Sequence, residues 1–185
     1  LYDIKKIDAY DNVILSSNKF NINANGERLI FTLVNEEIYI KGLNSKLSTS
    51  DANMFSDGEI KVNNSNGSFV IKGPNSRIES QNIYIEGDYI DGIFLSNKDI
   101  KEIAELNVED ENISYIKDND TEMYANIIRY DKEKSIIELE KNVKIIRNGE
   151  TITGDYGTLD TKNSSYKVRS NDSNKVKVII TSKNE

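Results

Sequence analysis

The sequence predicts an all-β protein built from antiparallel strands. Three observations point to this class: short runs of alternating apolar and polar residues recur along the chain, two-residue turn signals separate several of them, and a strand-bend-strand unit repeats. Repeated units of that kind assemble into a stacked or rolled sheet. Because no linker or change of composition marks a boundary, we expect one domain over residues 1–185.

Turn signals provide the first evidence for antiparallel strands. Asn-Gly and Asp-Gly favour the two-residue turn of a β-hairpin, since its central residues need positive φ. For example, Ile60–Val62 precede one such signal and Phe69–Ile71 follow it, whereas Phe20–Ile22 precede another. We expect a turn at each of the five dipeptides Asn25-Gly26, Asp57-Gly58, Asn66-Gly67, Asp91-Gly92 and Asn148-Gly149.

An internal repeat supports the same architecture. The segment IYIKGLNSKL at Ile38–Leu47 returns as FVIKGPNSRI at Phe69–Ile78, 31 residues further along the chain. A looser copy, IYIEGD, begins at Ile83. Each copy is predicted to be a strand, a bend marked by glycine and a second strand. Chance similarity in a chain rich in Asn, Ile and Lys is the alternative.

Residues 96–107 fit two patterns. Ser96 is a suitable helix N-cap with Asp99 three residues later, and apolar residues recur every three positions from Ile100 to Leu106. Between residues 104 and 109, however, apolar and polar residues alternate, which is typical of a strand. We favour the strand.

The remainder of the chain continues the alternation of runs and turns. Polar turns are predicted at Lys117–Asp120 and Asp131–Ser135, and a hairpin at Asn148-Gly149 joins the run around Val143 to Thr151–Thr153. Further strands are predicted at Ile113–Ile116, Met123–Tyr130, Ile137–Leu139 and Val176–Ile180.

Composition excludes several classes of function. The chain has no cysteine and no histidine, which removes disulfides, thiolate nucleophiles, imidazole bases and the usual zinc ligands. The formal charge is -7, and Lys and Arg are scattered, which argues against a nucleic-acid partner. No apolar run is long enough to span a bilayer. Because residue 1 is Leu, we expect that a signal peptide, a membrane anchor or an artificial extension has been removed upstream.

The candidate chemical motifs are weak. A glycosidase needs two facing carboxylates, for which we consider Glu86, Glu105 and Glu138, but no Trp is present to stack on a sugar. Calcium loops at residues 109–111 and 118–120 lack the spaced ligands of an EF-hand. Gly154–Gly157 follows a strand without opening a helix, so we interpret it as a bend rather than a phosphate loop. We therefore predict no catalytic residue, no metal site and no cofactor.

Apolar residues alternate with polar neighbours on the predicted strands. Their alternation is explained either by a sealed core between two sheets or by a groove that holds lipid, because both need an apolar side chain at every second position. The candidate lipid-binding residues are Ile38, Ile40, Phe69, Ile71, Ile83, Ile85, Leu106, Leu139, Val143, Ile145 and Ile152.

The C-terminal half carries a more specific pattern. Met123–Asp131 ends in Tyr-Asp, Ile136–Ile145 follows, and after the Asn148-Gly149 turn come Thr151–Asp155 and Leu159-Asp160. This arrangement resembles the rung repeated in the LptA/LptC (OstA-like) family of periplasmic lipopolysaccharide-transport proteins, and the first half of the chain fits as degenerate rungs. Lys141 stands where that family usually has Gly, so we expect the corner there to be straightened.

The resemblance implies an antiparallel β-jellyroll, a rolled and partly open pair of sheets of the LptA/LptC type. It implies a non-enzymatic periplasmic protein that shields the acyl chains of lipopolysaccharide between its sheets, with an inner-membrane anchor as a further option. A β-rich surface or adhesion protein with a closed core is the alternative.

The same resemblance implies that neighbouring domains join by strand addition. The partners are then other Lpt-type jellyroll proteins or a second copy of the chain, which pair with an open sheet edge. Lys175, Lys177 and Lys183 are explained equally well as protection of that edge against aggregation. The candidate edge residues are Ile4, Ile7 and Val13 near the N-terminus and Val176, Val178 and Ile180 near the C-terminus.

Overall fold

Sixteen antiparallel strands make up the part of the chain that the computed structural model describes, residues 4–18, 21–81, 83–97, 100–171 and 175–180. The predicted all-β antiparallel class is confirmed. In chain order the strands are β1 Lys6–Ser17, β2 Ile22–Thr32, β3 Glu37–Lys41, β4 Ser45–Ser48, β5 Asn53–Ser56, β6 Glu59–Asn63, β7 Ser68–Lys72, β8 Arg77–Glu79, β9 Ile83–Glu86, β10 Tyr89–Asn97, β11 Ile100–Asp118, β12 Thr121–Asp131, β13 Ile136–Arg147, β14 Glu150–Asp160, β15 Ser165–Arg169 and β16 Lys177–Ile180.

The strands form two sheets that share their long members. One half of each of β1, β2, β11, β12, β13 and β14 lies in the first sheet and the other half in the second. The first sheet has the order β1-β2-β3-β6-β7-β10-β11-β12-β13-β14-β15. The second has the order β1-β2-β4-β5-β8-β9-β11-β12-β13-β14-β16. This rolled arrangement is the predicted β-jellyroll.

Most of the long strands bend where they pass from one sheet to the other, along a line that we call the corner. In β1, β11, β12 and β13 the pairing register breaks at this point. Lys141 and Asn142 in β13 have φ values of 64° and 54° and lie within the break between Glu140 and Val143. The expectation that Lys141 straightens this corner is wrong, because the lysine itself adopts the positive φ that a bulge can require.

The internal repeat is also confirmed. Both full copies are a strand of the first sheet, a bend at the corner and a strand of the second sheet, namely β3 to β4 and β7 to β8. The bends are closed identically: Ser45 Oγ donates to the Gly42 carbonyl at 2.7 Å, and Ser76 Oγ donates to the Gly73 carbonyl at 2.6 Å. The looser copy crosses in the opposite direction, from β9 to β10.

Three of the five predicted turns are confirmed. Asn148 and Gly149 have φ values of 50° and 82° and connect β13 to β14 in a two-residue hairpin. Asn66-Gly67 lies between β6 and β7, and Asp57-Gly58 lies between β5 and β6.

The other two predicted turns are wrong, because Asn25-Gly26 lies inside β2 and Asp91-Gly92 inside β10. In both places the glycine allows a close approach rather than a chain reversal. A Cβ atom on Gly26 would lie 2.5 Å from Ile40 Cγ2. A Cβ atom on Gly92 would lie 2.2 Å from the carbonyl oxygen of Glu105 on the paired strand.

The preference for a strand after residue 100 is confirmed. β11 runs without interruption through the predicted strand at residues 104–109 and the predicted strand at Ile113–Ile116. Ser96 belongs to β10, and Asp99, the other half of the proposed helix cap, lies outside the described residues. Within the described residues no helix is long and apolar enough to cross a membrane.

Replacement of Gly92 by Ala should destabilise the fold by about 1–3 kcal/mol, because the added methyl group overlaps the Glu105 carbonyl and the Phe69 ring. Alanine in a strand would otherwise be slightly favourable relative to glycine. The free energy of unfolding from urea titration measures the effect. Leu95→Ala in the same strand is the control, since Leu95 is 56% exposed and its truncation should cost about 0.5 kcal/mol or less.

Candidate functional site: the mouth between the sheets

The two sheets separate on the side opposite the corner. We call this side the mouth; it is bordered by the turns that join successive strands within each sheet. On the first sheet these turns include residues 33–36, 64–67, 132–135 and 161–164. On the second sheet they include residues 49–52, 119–120 and 148–149.

A cavity of about 310 Å³ opens between the sheets at the mouth. Both sheets contribute to its wall, and most of the wall is apolar. This volume is at the lower end of the range for small-molecule sites, and a mostly apolar lining is typical of such sites. We call it the mouth cavity, and its lining residues are Ala52, Ile78, Ile83 and Ile116 from the second sheet, Phe94, Ile103, Leu106, Tyr130 and Ile137 from the first, and the polar residues Asp51, Ser80, Glu102, Asp118 and Thr161.

Asp118 is a partly buried acid of this wall. It is two residues beyond the buried Ile116 on β11, so its side chain is on the inward face of the second sheet. Burial raises the pKa of the Asp118 carboxyl, because it disfavours the charged form. Burial also raises the pKa of Tyr130 on the opposite sheet, and the charge of Asp118 adds to that effect.

The mouth is bridged near the C-terminal end of the sheets. The Tyr166 hydroxyl on β15 donates to Glu150 Oε2 on β14 at 2.6 Å. Arg147 Nη1, at the end of β13 in the second sheet, donates to the Ser164 carbonyl oxygen in a turn of the first sheet at 3.0 Å. These hydrogen bonds connect the two rows of turns beside the β13–β14 hairpin.

Two of the candidate lipid-binding residues border the mouth cavity, and the others do not. Ile83 and Leu106 line the mouth cavity. The remaining nine are buried elsewhere between the sheets, with relative exposures from 0% to 8%, and their role in binding stays a prediction. They are Ile38, Ile40, Phe69, Ile71, Ile85, Leu139, Val143, Ile145 and Ile152.

Sequence analysis missed several residues of the mouth cavity. Phe94 lies within the apolar run Ile93–Leu95, where alternation does not give the direction of a side chain, and Ile103 belongs to the stretch that also fitted a helix. Tyr130 stands in the Tyr-Asp signature of the rung, but its direction depends on the register of β12. Asp118 belongs to a polar stretch in sequence, and its position in the cavity wall follows from the length of β11.

The predicted edge residues lie at the ends of the sheets. Among the described strands, β1 pairs with β2 alone, and β15 and β16 each pair with β14 alone. Ile4 and Ile7 at the first end, and Val176, Val178 and Ile180 at the other, are 37% to 72% exposed. Val13 is partly buried against the core. Lys175 and Lys177 accompany β16, and Lys183 lies outside the described residues.

The carboxylates considered for glycoside hydrolysis do not face one another. Glu86, Glu105 and Glu138 are all exposed, because each alternates with an inward apolar residue of its strand. In the described part of the chain no group of three acids is placed to hold a metal ion.

Replacement of Asp118 by Asn should raise the free energy of unfolding at pH 7, because the folded protein no longer holds a charge in a poorly hydrated place. The pKa of Asp118 is higher in the folded state than its ordinary value of 3.8, so its ionisation costs stability as the pH rises through the folded pKa. The gain in the variant should therefore disappear below about pH 3.8.

Urea titrations from pH 3 to 8 measure this dependence. Asp120→Asn is the control, since Asp120 is exposed on the next turn. A difference between Asp118→Asn and the parent protein that does not vary with pH would contradict the assignment.

A family model described as "LptA/(LptD N-terminal domain) LPS transport protein" matches residues 59–165. Among curated proteins, no sequence matches the chain. The fold is similar to the crystal structure of LptH, described as the LptA homologous periplasmic component of the conserved lipopolysaccharide transport device from Pseudomonas aeruginosa. The TM-score is 0.55 at 16% sequence identity, and the match covers 71% of this chain and 95% of LptH.

Proposed function

The chain belongs to the LptA/LptD N-terminal domain family of lipopolysaccharide-transport proteins, and we propose that it is a non-enzymatic carrier that shelters lipid acyl chains between its two sheets. The observation that carries this proposal is the apolar cavity at the mouth, whose wall comes from both sheets. A sealed sandwich, as the alternative of a surface or adhesion protein requires, would have a filled mouth instead.

The free energy of transferring acyl chains out of a membrane supports a carrier function. Each methylene removed from water gains about 0.8 kcal/mol, so acyl chains cannot leave a membrane at a useful rate unless another apolar surface receives them. The mouth cavity supplies the entrance of such a surface, and other buried residues between the sheets, such as Ile71 and Ile145, supply an apolar continuation. Shielding requires no bond to be made or broken, so no catalytic group is needed.

The location and partners in this proposal follow from the family. The related LptH is described as a periplasmic component, which supports a periplasmic location for this chain. The lipid is then lipopolysaccharide, with its acyl chains inside and its polar part in water. An anchor in the inner membrane, upstream of residue 1, is compatible with this arrangement.

Strand addition at the sheet ends would join this chain to its neighbours. The outer edges of β1, β15 and β16 are without a strand partner in the described part of the chain. Val13 and Leu15 on β1 face inward, and Val178 on β16 pairs with the inward Ile152. If β1 of one copy lies beside β15 and β16 of another, both sheets and their apolar interior continue across the junction.

Photo-crosslinking should separate a groove from a sealed core. A photoreactive residue at Leu106, Ile71 or Ile145, in cells that make lipopolysaccharide, should form lipid adducts because these positions face inward. Lys72 and Lys144 are matched outward neighbours and should form few adducts. Detection of lipopolysaccharide on the purified protein measures the difference; equal labelling inside and outside, or no labelling at either, would count against a carrier.

Cysteine pairs can test strand addition, since the chain contains no cysteine of its own. Ile14 on β1 and Ile179 on β16 are exposed on the outer side of the second sheet. Ile14→Cys in one copy and Ile179→Cys in another should form a disulfide-linked dimer under mild oxidation, measured by non-reducing electrophoresis. Ile14→Cys mixed with Glu86→Cys, which is away from the edges, is the control; equal dimer from both mixtures would argue against pairing of these edges.

A further inference from the structure

The first sheet carries a groove on its outer face that a role in sheltering acyl chains does not explain. It consists of two adjoining depressions of about 510 Å³ and 340 Å³. The larger extends from Val70 on β7 to Glu138 on β13, and the smaller extends from Glu138 to Lys167 on β15. We call the two together the outer groove. It crosses the strands, and most of its lining side chains point away from the interior because they alternate with buried residues.

A tyrosine lies near each end of the outer groove. Tyr89 lines the larger depression, and Tyr156, which is 50% exposed, lines the smaller. Both belong to one row of register partners that crosses β10, β11, β12, β13 and β14. Four steps between strands about 4.8 Å apart place the two residues about 19 Å from each other. The groove therefore has room for several linked units of one ligand, with an aromatic ring to pack against near each end.

The outer groove is almost neutral. Of the described residues that line it, five are acids and four are bases. Arg129 forms an ion pair with Glu140, and Lys134 Nζ lies 2.6 Å from Asp131 Oδ2. Neither a phosphate nor a polycation meets a large excess of opposite charge here. A neutral ligand rich in hydroxyl groups, by contrast, finds both donors and acceptors along the groove.

The floor of the outer groove holds an unsatisfied amide oxygen. Asn107 Nδ2 donates to Asp91 Oδ1 and to Glu109 Oε1, each at 3.1 Å. This orientation leaves Asn107 Oδ1 buried and without a hydrogen-bond partner in the described part of the chain. Arg129, which is exposed, is the register partner of Asn107 on β12. A ligand hydroxyl that displaces the Arg129 side chain can donate to Oδ1 and recover the free energy of the missing hydrogen bond.

The position of the groove argues against a peptide strand as its ligand. A peptide adds to a sheet by pairing with an open edge. The strands under the groove, from β7 to β14 in the first sheet, each have a neighbour on both sides here. A sheet face offers side chains along a straight track instead. An extended sugar chain suits such a track, because the apolar faces of its rings pack on tyrosine while its hydroxyl groups bond to carboxylate, amide and guanidinium groups.

We propose that the outer groove binds an extended, neutral glycan chain, with sugar rings packed on Tyr89 and Tyr156 and hydroxyl groups bonded to Asn107 and Glu138 between them. This surface lies outside the apolar interior, so the inference goes beyond the proposed carrier function and does not depend on it. Binding of this kind would tether the protein to a glycan-containing structure while the space between the sheets remains open to lipid.

Two hexasaccharides of the same composition test the proposal. Cellohexaose is a β-1,4-linked glucose chain that is extended, whereas the α-1,4-linked chain of maltohexaose curves. Dissociation constants for the full chain are measured by calorimetry, with each sugar titrated to millimolar concentration. The parent protein should bind cellohexaose at least about fivefold more tightly than maltohexaose, because only the extended chain reaches both tyrosines.

Variants locate the binding surface. Tyr156→Ala and Tyr89→Ala should each weaken cellohexaose binding about tenfold, as expected for the loss of one packed aromatic ring. Tyr156→Phe keeps the ring and should keep most of the affinity. Tyr10→Ala is the matched control, since Tyr10 is 58% exposed on β1 and lies outside the groove. An unchanged urea midpoint for Tyr156→Ala shows that this variant retains its fold.

Each outcome bears on the glycan surface separately from the carrier function. No binding of cellohexaose, or equal binding of the two sugars, would overturn the proposal. Equal losses for Tyr10→Ala and Tyr156→Ala would also overturn it, because the groove would then not be the site. A fluorescent acyl probe measured in parallel should bind the parent protein and Tyr156→Ala alike. Failure of that probe to bind would count against the carrier function alone.

Discussion

The architecture depends on one constraint: the same long strands belong to two sheets. A strand shared in this way must turn at the corner, and its inward residues then line both walls of one interior. Short strands fill each sheet between the shared ones, and the chain bends at the same line where β3 leads to β4 and β7 leads to β8. Ser45 and Ser76 close these equivalent bends. The mouth is the necessary counterpart, because two sheets joined along one side separate along the other.

The strand content of this fold was accessible from sequence because alternation with a period of two is a local property. The repeat at Ile38 and Phe69 even gave the correct unit, a strand on each side of a glycine bend. The same local signals failed at Gly26 and Gly92, where glycine serves a contact between strands distant in sequence. An Asn-Gly or Asp-Gly dipeptide can therefore mark either a chain reversal or a place where two strands come too close for a side chain. Only the strand pairing in the structure distinguishes these two cases.

The residues of the candidate site, too, could be predicted from the sequence only in part. Ile83 and Leu106 were selected from alternation and do line the mouth cavity, but alternation does not give depth. Residues with the same pattern, such as Ile38 and Leu139, are fully buried and lie outside the cavity wall, because the covering strands of the opposite sheet decide which inward residues border a cavity. Asp118 could not be recognised before the full extent of β11 was known, since a polar residue next to a turn ordinarily faces solvent.

The register breaks at the corner explain how one strand can belong to two sheets. In β1, β11, β12 and β13 the ladder of hydrogen bonds is interrupted at the corner, while the pairing within each sheet continues on either side. Such interruptions let a strand bend without ending, so that one continuous strand serves both sheets. The hydrogen bonds of Arg147 and Tyr166 hold the two rows of turns together at the C-terminal end of the mouth, and the mouth cavity lies away from them.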